Sequence, residues 1–399
     1  MATSHQSNGQ RWSPPPPKTG EPVTVALALP PNPWIRGEAL ARGRRMVYLW
    51  HLFFHLPAQA APRGALVNLL PDDDRVRRLL RMGCKVVRLG NFPHPDDGRV
   101  PAVLPDHEAE GRLAAEYFAG RGFRHVGYVG SDPWSNLKVL CDAFSARAVE
   151  RGMACHLHRM KRGDPSETQM GTAPRKERAF KAWLREVPKP LGLLAYHDVR
   201  ASAFAAWTAQ AGFRVPADVA ILGRGTDPDI CEWSLPSVSA LDLDEEGRTR
   251  TACDLLARLM AGEPGPKAPI LVPPRGVITR ESTNTLGAAD PTVTAAVDYM
   301  WSHLDRDLSL DDVARVVGVP RHRLTRAFHD HLGRGVTAEL LRRRLEVFRD
   351  LLCADDAPIA DLAPRVGFRN LAHLHRQFRR AYGASPARYR KEHRRGIDY

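Results

Sequence analysis

The pattern Leu-x-Arg-x-Phe occurs twice, at Leu324–Phe328 and at Leu374–Phe378. On a helix, residues four apart share one face, so each Leu/Phe pair marks a buried stripe and sends the residues between it outward. The outward set in the first copy is Arg321, His322, Thr325, Arg326 and His329. In the second it is Asn370, Ala372, His373, His375, Arg376 and Arg379. The chemistry open to such a set is hydrogen bonding to nucleic acid. One arginine can donate twice to guanine O6 and N7, worth about 1–3 kcal/mol of discrimination. Phosphate contacts are expected from helix N-termini and from Arg334, Arg369, Arg380 or Arg390.

Charge agrees with this reading. The 399 residues carry a formal net charge of +13, and the segment from Val313 onward holds 19 Arg and Lys against 9 Asp and Glu. A concentrated basic segment attracts phosphate.

The elements that must position these residues are helices. A helix is expected at Thr292–Leu304, and another at Ser309–Gly318 opens with Ser309 and Asp312 in capping-box spacing. A third follows from Pro320 to Leu332, a long one covers Thr337–Cys353, and Ile359–Val366 and Asn370–Tyr382 repeat the short-then-long order. A short bracing helix, a turn and a second helix form the helix-turn-helix, which seats its second helix in the major groove. Two units joined by a rigid helix reach successive grooves about 34 Å apart. Pro364 falls inside the second brace, where a proline costs about 3 kcal/mol and kinks the helix. The first unit is therefore expected to carry more of the sequence specificity, and the second more backbone contacts.

The preceding 250 residues read differently. Short apolar runs lie within Pro22–Pro30 and at Ala65–Leu70, Lys85–Leu89, His125–Val129, Leu191–Tyr196 and Val219–Leu222. Helical patterns at Ala109–Ala119, Lys176–Leu184 and Ala201–Ala211 alternate with them. This βα order predicts parallel sheets covered by helices on both faces. Residues 262–274 are rich in proline and glycine around one apolar strand, and residues 283–291 are small and polar. The domains expected are a disordered proline-rich tail (1–22), an α/β domain (23–283), a linker (284–291) and an all-α domain with two helix-turn-helix units (292–399).

Other classes find little support. No apolar run is long enough to span a membrane, and the six cysteines lack metal or disulfide spacing. His51 and His55 are four apart but have no acidic partner to complete a metal site. No nucleophile elbow, zinc-protease, Walker or dinucleotide-binding pattern appears. No catalytic residue, metal or cofactor is therefore expected, and the compartment expected is the cytoplasm.

Several longer strings carry a resemblance. GVPRHRLTRAF at Gly318–Phe328, RRLE at Arg343–Glu346, VGF at Val366–Phe368 and FRRAYGASPARYR at Phe378–Arg390 resemble the DNA-binding domain of AraC-type regulators. The resemblance implies that His322, Thr325 and Arg326, then Ala372, His373 and Arg376, face bases. Ala372 stands where that family often has a longer polar residue. RGFRHVGY at Arg121–Tyr128, AYHDVR at Ala195–Arg200, RVPADVAILG at Arg214–Gly223 and PILVPPRGVITREST at Pro269–Thr283 resemble the two-lobed, periplasmic-binding-protein-like sensor of lactose-repressor-type regulators.

That second resemblance implies a small ligand, often a sugar, between the lobes, and a homodimer. Matching positions are Asp106, Trp134 and Lys138 on one loop, His197, Asp198, Arg200, and the turn Arg224–Asp227 that ends on Asp227. His197 stands in place of a usual Asn, and Gly225 in place of a usual Asp that would hold sugar hydroxyls. Three readings stay open: a sugar-like effector, another small molecule, or a constitutive regulator whose sensor serves dimerisation. For Asp198 and Arg200, a structural ion pair and ligand contact are equally compatible with the sequence.

Overall fold

The computed structural model describes residues 24–28, 45–48, 62–69, 73–90, 100–131, 135–160, 174–287 and 290–393. The tail 1–22, His51, His55 and Trp134 lie outside the described residues. In chain order the α/β elements are β1 (Thr24–Ala28), β2 (Arg45–Tyr48), β3 (Gly64–Val67), α1 (Asp74–Arg81), β4 (Lys85–Leu89), β5 (Ala102–Pro105), α2 (His107–Gly120), β6 (His125–Ser131), α3 (Ser135–Glu150) and β7 (Ala154–Met160). They continue as α4 (Pro174–Glu186), β8 (Leu191–Ala195), α5 (Asp198–Gln210), β9 (Val219–Arg224), α6 (Pro228–Cys231), β10 (Ser239–Asp242), α7 (Glu245–Met260), β11 (Ile270–Val272) and β12 (Gly276–Ile278). Helices alone follow: α8 (Pro291–Trp301), α9 (Leu310–Val316), α10 (Arg321–Leu332), α11 (Val336–Ala354), α12 (Ile359–Arg365), α13 (Leu371–Tyr382) and α14 (Pro386–His393).

These elements form two compact units. The first holds a parallel sheet in the order β11-β5-β4-β3-β1-β2. Its inner strands β3, β4 and β5 are mostly apolar and buried, as expected where helices cover both faces. Leu255, Leu256 and Leu259 of α7 pack on Leu66, Val87 and Val103. Val76 and Leu79 of α1 pack with Ala65, Val67 and Val86.

The second unit holds the order β12-β10-β9-β8-β6-β7, parallel except for β12. Its core is aromatic, with Phe180 stacked on Phe204 at 4.9 Å between ring centroids. The same unit contains the helical region. One apolar cluster gathers Val297, Met300, Val313, Leu324, Phe328 and Leu340, and another gathers Phe348, Leu352, Leu362, Leu374, Phe378 and Tyr389.

The helical region is an internal repeat, and it is more complete than the sequence pattern suggests. α9, α10 and the start of α11 recur as α12, α13 and α14 about fifty residues later. Each brace ends at a glycine with positive φ, Gly318 (70°) and Gly367 (77°), and each recognition helix ends at another, Gly333 (66°) and Gly383 (73°). Pro364 leaves the second brace intact. α12 runs for seven residues, as α9 does, and buries Leu362 and Ala363. The proline sits in the last turn, where only the Ala360 carbonyl loses its intrahelical donor, and Ala360 is exposed. The expected kink is therefore replaced by an ordinary helix end.

The segment between the two kinds of structure is packed. Thr283, Thr285 and Leu286 are buried, Leu286 within the α8–α10 core. Gly287 N donates to Arg121 O at 2.9 Å.

One buried carboxylate fastens α11 to the α/β part of this unit. Glu346 accepts from Arg121 at 2.5 Å, Thr279 at 3.0 Å, Arg343 at 3.0 Å and Arg342 at 3.2 Å. Burial alone would raise its pKa. Arg121, Arg342, Arg343 and Arg349 outweigh that and hold it well below the ordinary carboxylate range. Arg121 lies over the Tyr117 ring at 3.6 Å, and the Tyr117 hydroxyl meets Thr279 at 3.0 Å and Thr283 at 2.5 Å. Beside it, Glu339 accepts from Arg342 at 2.7 Å and from Arg334, which also donates to Gly120 O at 2.5 Å.

Two predictions follow from this packing. Gly318→Ala should cost about 1 kcal/mol, the ordinary penalty for a side chain at positive φ, because the space around it is open. Gly367→Ala should cost more, since its Cβ would collide with the Leu304 carbonyl and stand 2.6 Å from the Arg344 guanidinium. Urea unfolding followed by circular dichroism ranks the two, and the reverse order would contradict the packing. Glu346→Gln should cost about 3–5 kcal/mol, because it leaves Arg121 buried without its counter-charge. That difference should be full above about pH 5 and shrink as pH falls below about 4.3, the ordinary glutamate value. A loss under about 1 kcal/mol, the size of an exposed pair, would show that the ion pair does not hold the helix.

Candidate nucleic-acid interface

The first unit is set by its brace. Ser309 Oγ accepts from Asp312 N, and Asp312 Oδ2 accepts from Ser309 N, both at 3.1 Å. This capping box starts α9, which buries Val313 and Ala314. α10 then buries Leu324 and Phe328 fully and leaves Arg321, His322, Thr325 and Arg326 exposed. Arg326 is 84% exposed, 3.5 Å from Asp330. Arg321 lies 3.5 Å from Asp311. Thr325 Oγ donates to Arg321 O at 2.9 Å, which leaves its oxygen able to accept. Arg323, absent from the expected set, is also exposed on this helix. Pro320 occupies the N-cap and supplies no side-chain acceptor, so the first-turn amides of α10 are open to a phosphate.

The second unit repeats the burial pattern with different chemistry. Leu374 and Phe378 are fully buried. Ala372, His375 and Arg376 are exposed, and His373 is half-buried with its ring 6.0 Å from Phe368. Asn370 is the N-cap of α13, and its side-chain oxygen accepts from His373 N at 3.0 Å. One amide of that helix is thus already satisfied within the protein. Arg376, Arg379 and Arg380 are exposed and have no ion pair among the described residues.

Two of the arginines expected on phosphate are elsewhere. Arg334 is engaged by Glu339 and Gly120 O within the junction. Arg390 is half-buried and donates to Leu352 O at 3.2 Å. Their positive charge is spent on holding α11 and α14 in place. Arg369 and Arg380 remain exposed. The contributions of Arg121, Glu339 and Glu346 were not foreseen. The RRLE string contains Glu346, but its partner Arg121 lies 225 residues away.

The expected ligand positions divide between the two units. In the first, Asp106 N donates to Val272 O at 2.9 Å, and its Oδ1 accepts from Ala109 N at 3.0 Å, capping α2. Lys138 is exposed. In the second, the chain ends of β8 and β9 bring His197, Asp198, Gly225 and Asp227 together, as open parallel sheets do at their carboxyl edge. Asp198 is buried, with Oδ1 2.5 Å from His197 Nδ1 and 2.7 Å from Val199 N, and Oδ2 accepting from Asp227 N at 3.3 Å. Burial pushes the Asp198 carboxyl up, but His197 and the two amides outweigh it and hold it below its ordinary value. Arg200 is half-buried on the first turn of α5, and Asp227 is exposed and caps α6 through Asp229 N at 3.0 Å. Arg224, at the start of the same turn, is buried in a two-bond pair with Glu110 at 2.6 and 3.1 Å. Its role is structural.

Residues 115–283 match the family described as periplasmic binding protein-like domain, and residues 313–392 match the family described as helix-turn-helix domain. Over 208 residues the chain is 28% identical to the xylose operon regulatory protein of Escherichia coli strain K12, covering 52% of this chain and 53% of that one. The chain thus spans about half the length of the curated relatives it matches. In fold it is similar to a solved structure of a xylose-binding transcription activator, with a TM-score of 0.58, 20% identity, and coverage of 95% of this chain and 100% of that one. It is also similar to a LacI family transcriptional regulator from Arthrobacter sp. FB24 in complex with lactose, with a TM-score of 0.51, 23% identity, and coverage of 66% and 100%. Two kinds of domain are therefore joined in this chain, a periplasmic-binding-protein-like domain over residues 115–283 and a helix-turn-helix domain over residues 313–392.

Proposed function

We propose that the protein binds an operator through α10 and α13 and is controlled by a small, sugar-like ligand sensed by residues 23–283, with residues 284–291 joining the sensor to a DNA-binding domain over 292–399. The observation that carries the reading is the pair of exposed basic helix faces, held in the same burial register fifty residues apart and each seated on its own apolar core. Arg321, His322, Thr325 and Arg326 read bases in one groove. Asn370, His373, His375 and Arg376 act in the next, with Ala372 offering only an apolar contact. The first unit carries more of the specificity. Its brace is no better formed than the second, so the reason lies in the side chains that α10 presents, where the second unit has Ala372. The protein acts in the cytoplasm as a homodimer on double-stranded DNA.

The ligand part draws on the similarity to sugar-binding regulators and on His197, Asp198, Arg200 and Asp227 of the second unit. A constitutive regulator is the second reading, and one observation favours it. Gly225 has φ +102°, and a Cβ there would stand 3.0 Å from Asp198 Oδ2. The aspartate that related sensors carry at this position has no unstrained place here.

Sequencing of genomic fragments captured by the purified protein should yield one enriched motif with two recognition elements. Arg326→Ala and Arg376→Ala should each weaken binding to that motif by about 1–3 kcal/mol and relax base preference at one position. If neither changes affinity or preference, the two helices do not read the operator. A thermal-shift series with pentoses, hexoses and sugar acids tests the sensor. A true effector at about 100 times its Kd adds about 2.7 kcal/mol of stability, and no shift with any of them would favour the constitutive reading. Sedimentation that finds only monomer at micromolar concentration, with and without DNA, would remove the homodimer.

A further inference from the structure

A cavity of about 120 Å³ lies where the amino ends of β6 and β8 meet the first helix-turn-helix unit. Its lining includes Gly122, Arg124, His125, Lys189, Gly287 and His331, and no carboxylate among the described residues. Arg124 is exposed and has no ion pair among the described residues. His125 Nδ1 faces His156 Nε2 at 3.3 Å across β6 and β7. The Lys189 ammonium donates to Leu184 O at 2.6 Å and to Val187 O, carbonyls that orient it and carry no charge. Two carboxylates lie outside the lining: Asp218, whose charge acts on Lys189 but which is paired with Arg214 at 2.8 Å, and Asp290, 3.6 Å from His331 and already accepting from Thr292 N and Val293 N. The local field is positive. Burial, then His125 and Lys189, hold the His156 imidazole below its ordinary pKa.

Like charges collect around a cavity only at an electrostatic cost, and an anion relieves it. The space is suited to a compact group. A dry cavity of about 150 Å³ takes a benzene ring, and a tetrahedral oxyanion is smaller. We infer that this cavity binds a phosphate-type oxyanion through Arg124, His125, Lys189 and His331. The position gives such binding a consequence, which rests on the DNA-binding reading above. His331 belongs to the last turn of α10, and Gly122 and Gly287 flank Arg121, the partner of Glu346. An anion here ties the amino ends of β6 and β8 to the end of the first recognition helix. The phosphate has two possible sources, a free ion or monoester and the DNA backbone.

Calorimetric titration of the full chain with inorganic phosphate, at constant ionic strength with chloride as control, tests the site. One saturable site per chain is expected, with Kd raised at least about tenfold by Arg124→Gln and by His331→Gln. Circular dichroism should show both variants folded, since Arg124 is exposed and His331 half-exposed. Operator titration in phosphate-free buffer is the second arm. If Arg124→Gln lowers the salt dependence by about one phosphate contact there, the bound group is a backbone phosphate. If only free phosphate responds to the substitutions, the site takes a free ion or monoester. No saturable phosphate binding up to about 10 mM, together with unchanged operator binding in both variants, would overturn the inference. Intact operator binding in that case would leave the DNA-binding reading standing.

Discussion

Glu346 is a buried carboxylate on the helix that connects the two helix-turn-helix units, and the docking of that helix on the α/β part turns on the need to satisfy it. Removing a carboxylate from water costs several kcal/mol after relaxation, and only well-placed donors offset that. Two of its partners, Arg342 and Arg343, travel with the same helix and would be present in any docking. Arg121 and Thr279 come from the α/β part and are present in only one. An apolar seam tolerates sliding, whereas four directional donors on one carboxylate do not. The balance is close. Arg121 Nε, Arg343 Nε and Trp301 Nε1 are buried without hydrogen-bond partners among the described residues. Asp350, one turn along the same helix, shows burial prevailing over Arg349, so its carboxyl titrates above the ordinary value. A partly satisfied polar network is sensitive to small displacements, because each lost partner strands another charge.

Much of this was legible in the sequence, and the reasons are physical. The Leu-x-Arg-x-Phe repeat announced α10 and α13 because the helical period maps i and i+4 onto one face, and both pairs are fully buried. Strands buried on both faces, such as Lys85–Leu89 and Leu191–Ala195, showed as apolar runs. β7 did not, because ACHLHRM places polar residues along a sheet-edge strand. α14 was missed because PARYRKEH has one anchoring aromatic, Tyr389, and no apolar stripe. The charges were the least readable. Arg326 and Arg334 are the same residue type eight positions apart, yet one is 84% exposed and the other lies in the junction. What separates them is a partner distant in sequence, which no local pattern encodes. Glu339, Arg342, Arg343 and Glu346 at helical spacing look like a solvated face of i, i+3 and i+4 pairs. The opposing Arg121 turns that face into an interior.

The position of α11 bears on how a sensor could control DNA binding. Leu340 belongs to the core of the first helix-turn-helix unit, while Leu345, Phe348 and Leu352 belong to the core of the second. One rod therefore supplies packing to both recognition helices. Moving one unit without the other would open one of these cores. Deleting a buried phenylalanine side chain such as Phe348 costs about 3–5 kcal/mol, more than the 1–3 kcal/mol typical of coupling between sites. Independent motion of the units is therefore the expensive route. The junction at Glu346 attaches the rod to the α/β part, so a rearrangement there carries both recognition helices together. In the homodimer proposed above, what such a rearrangement changes is where the pair is presented relative to a second protomer's pair. The spacing within one pair, which must match successive major grooves, stays fixed.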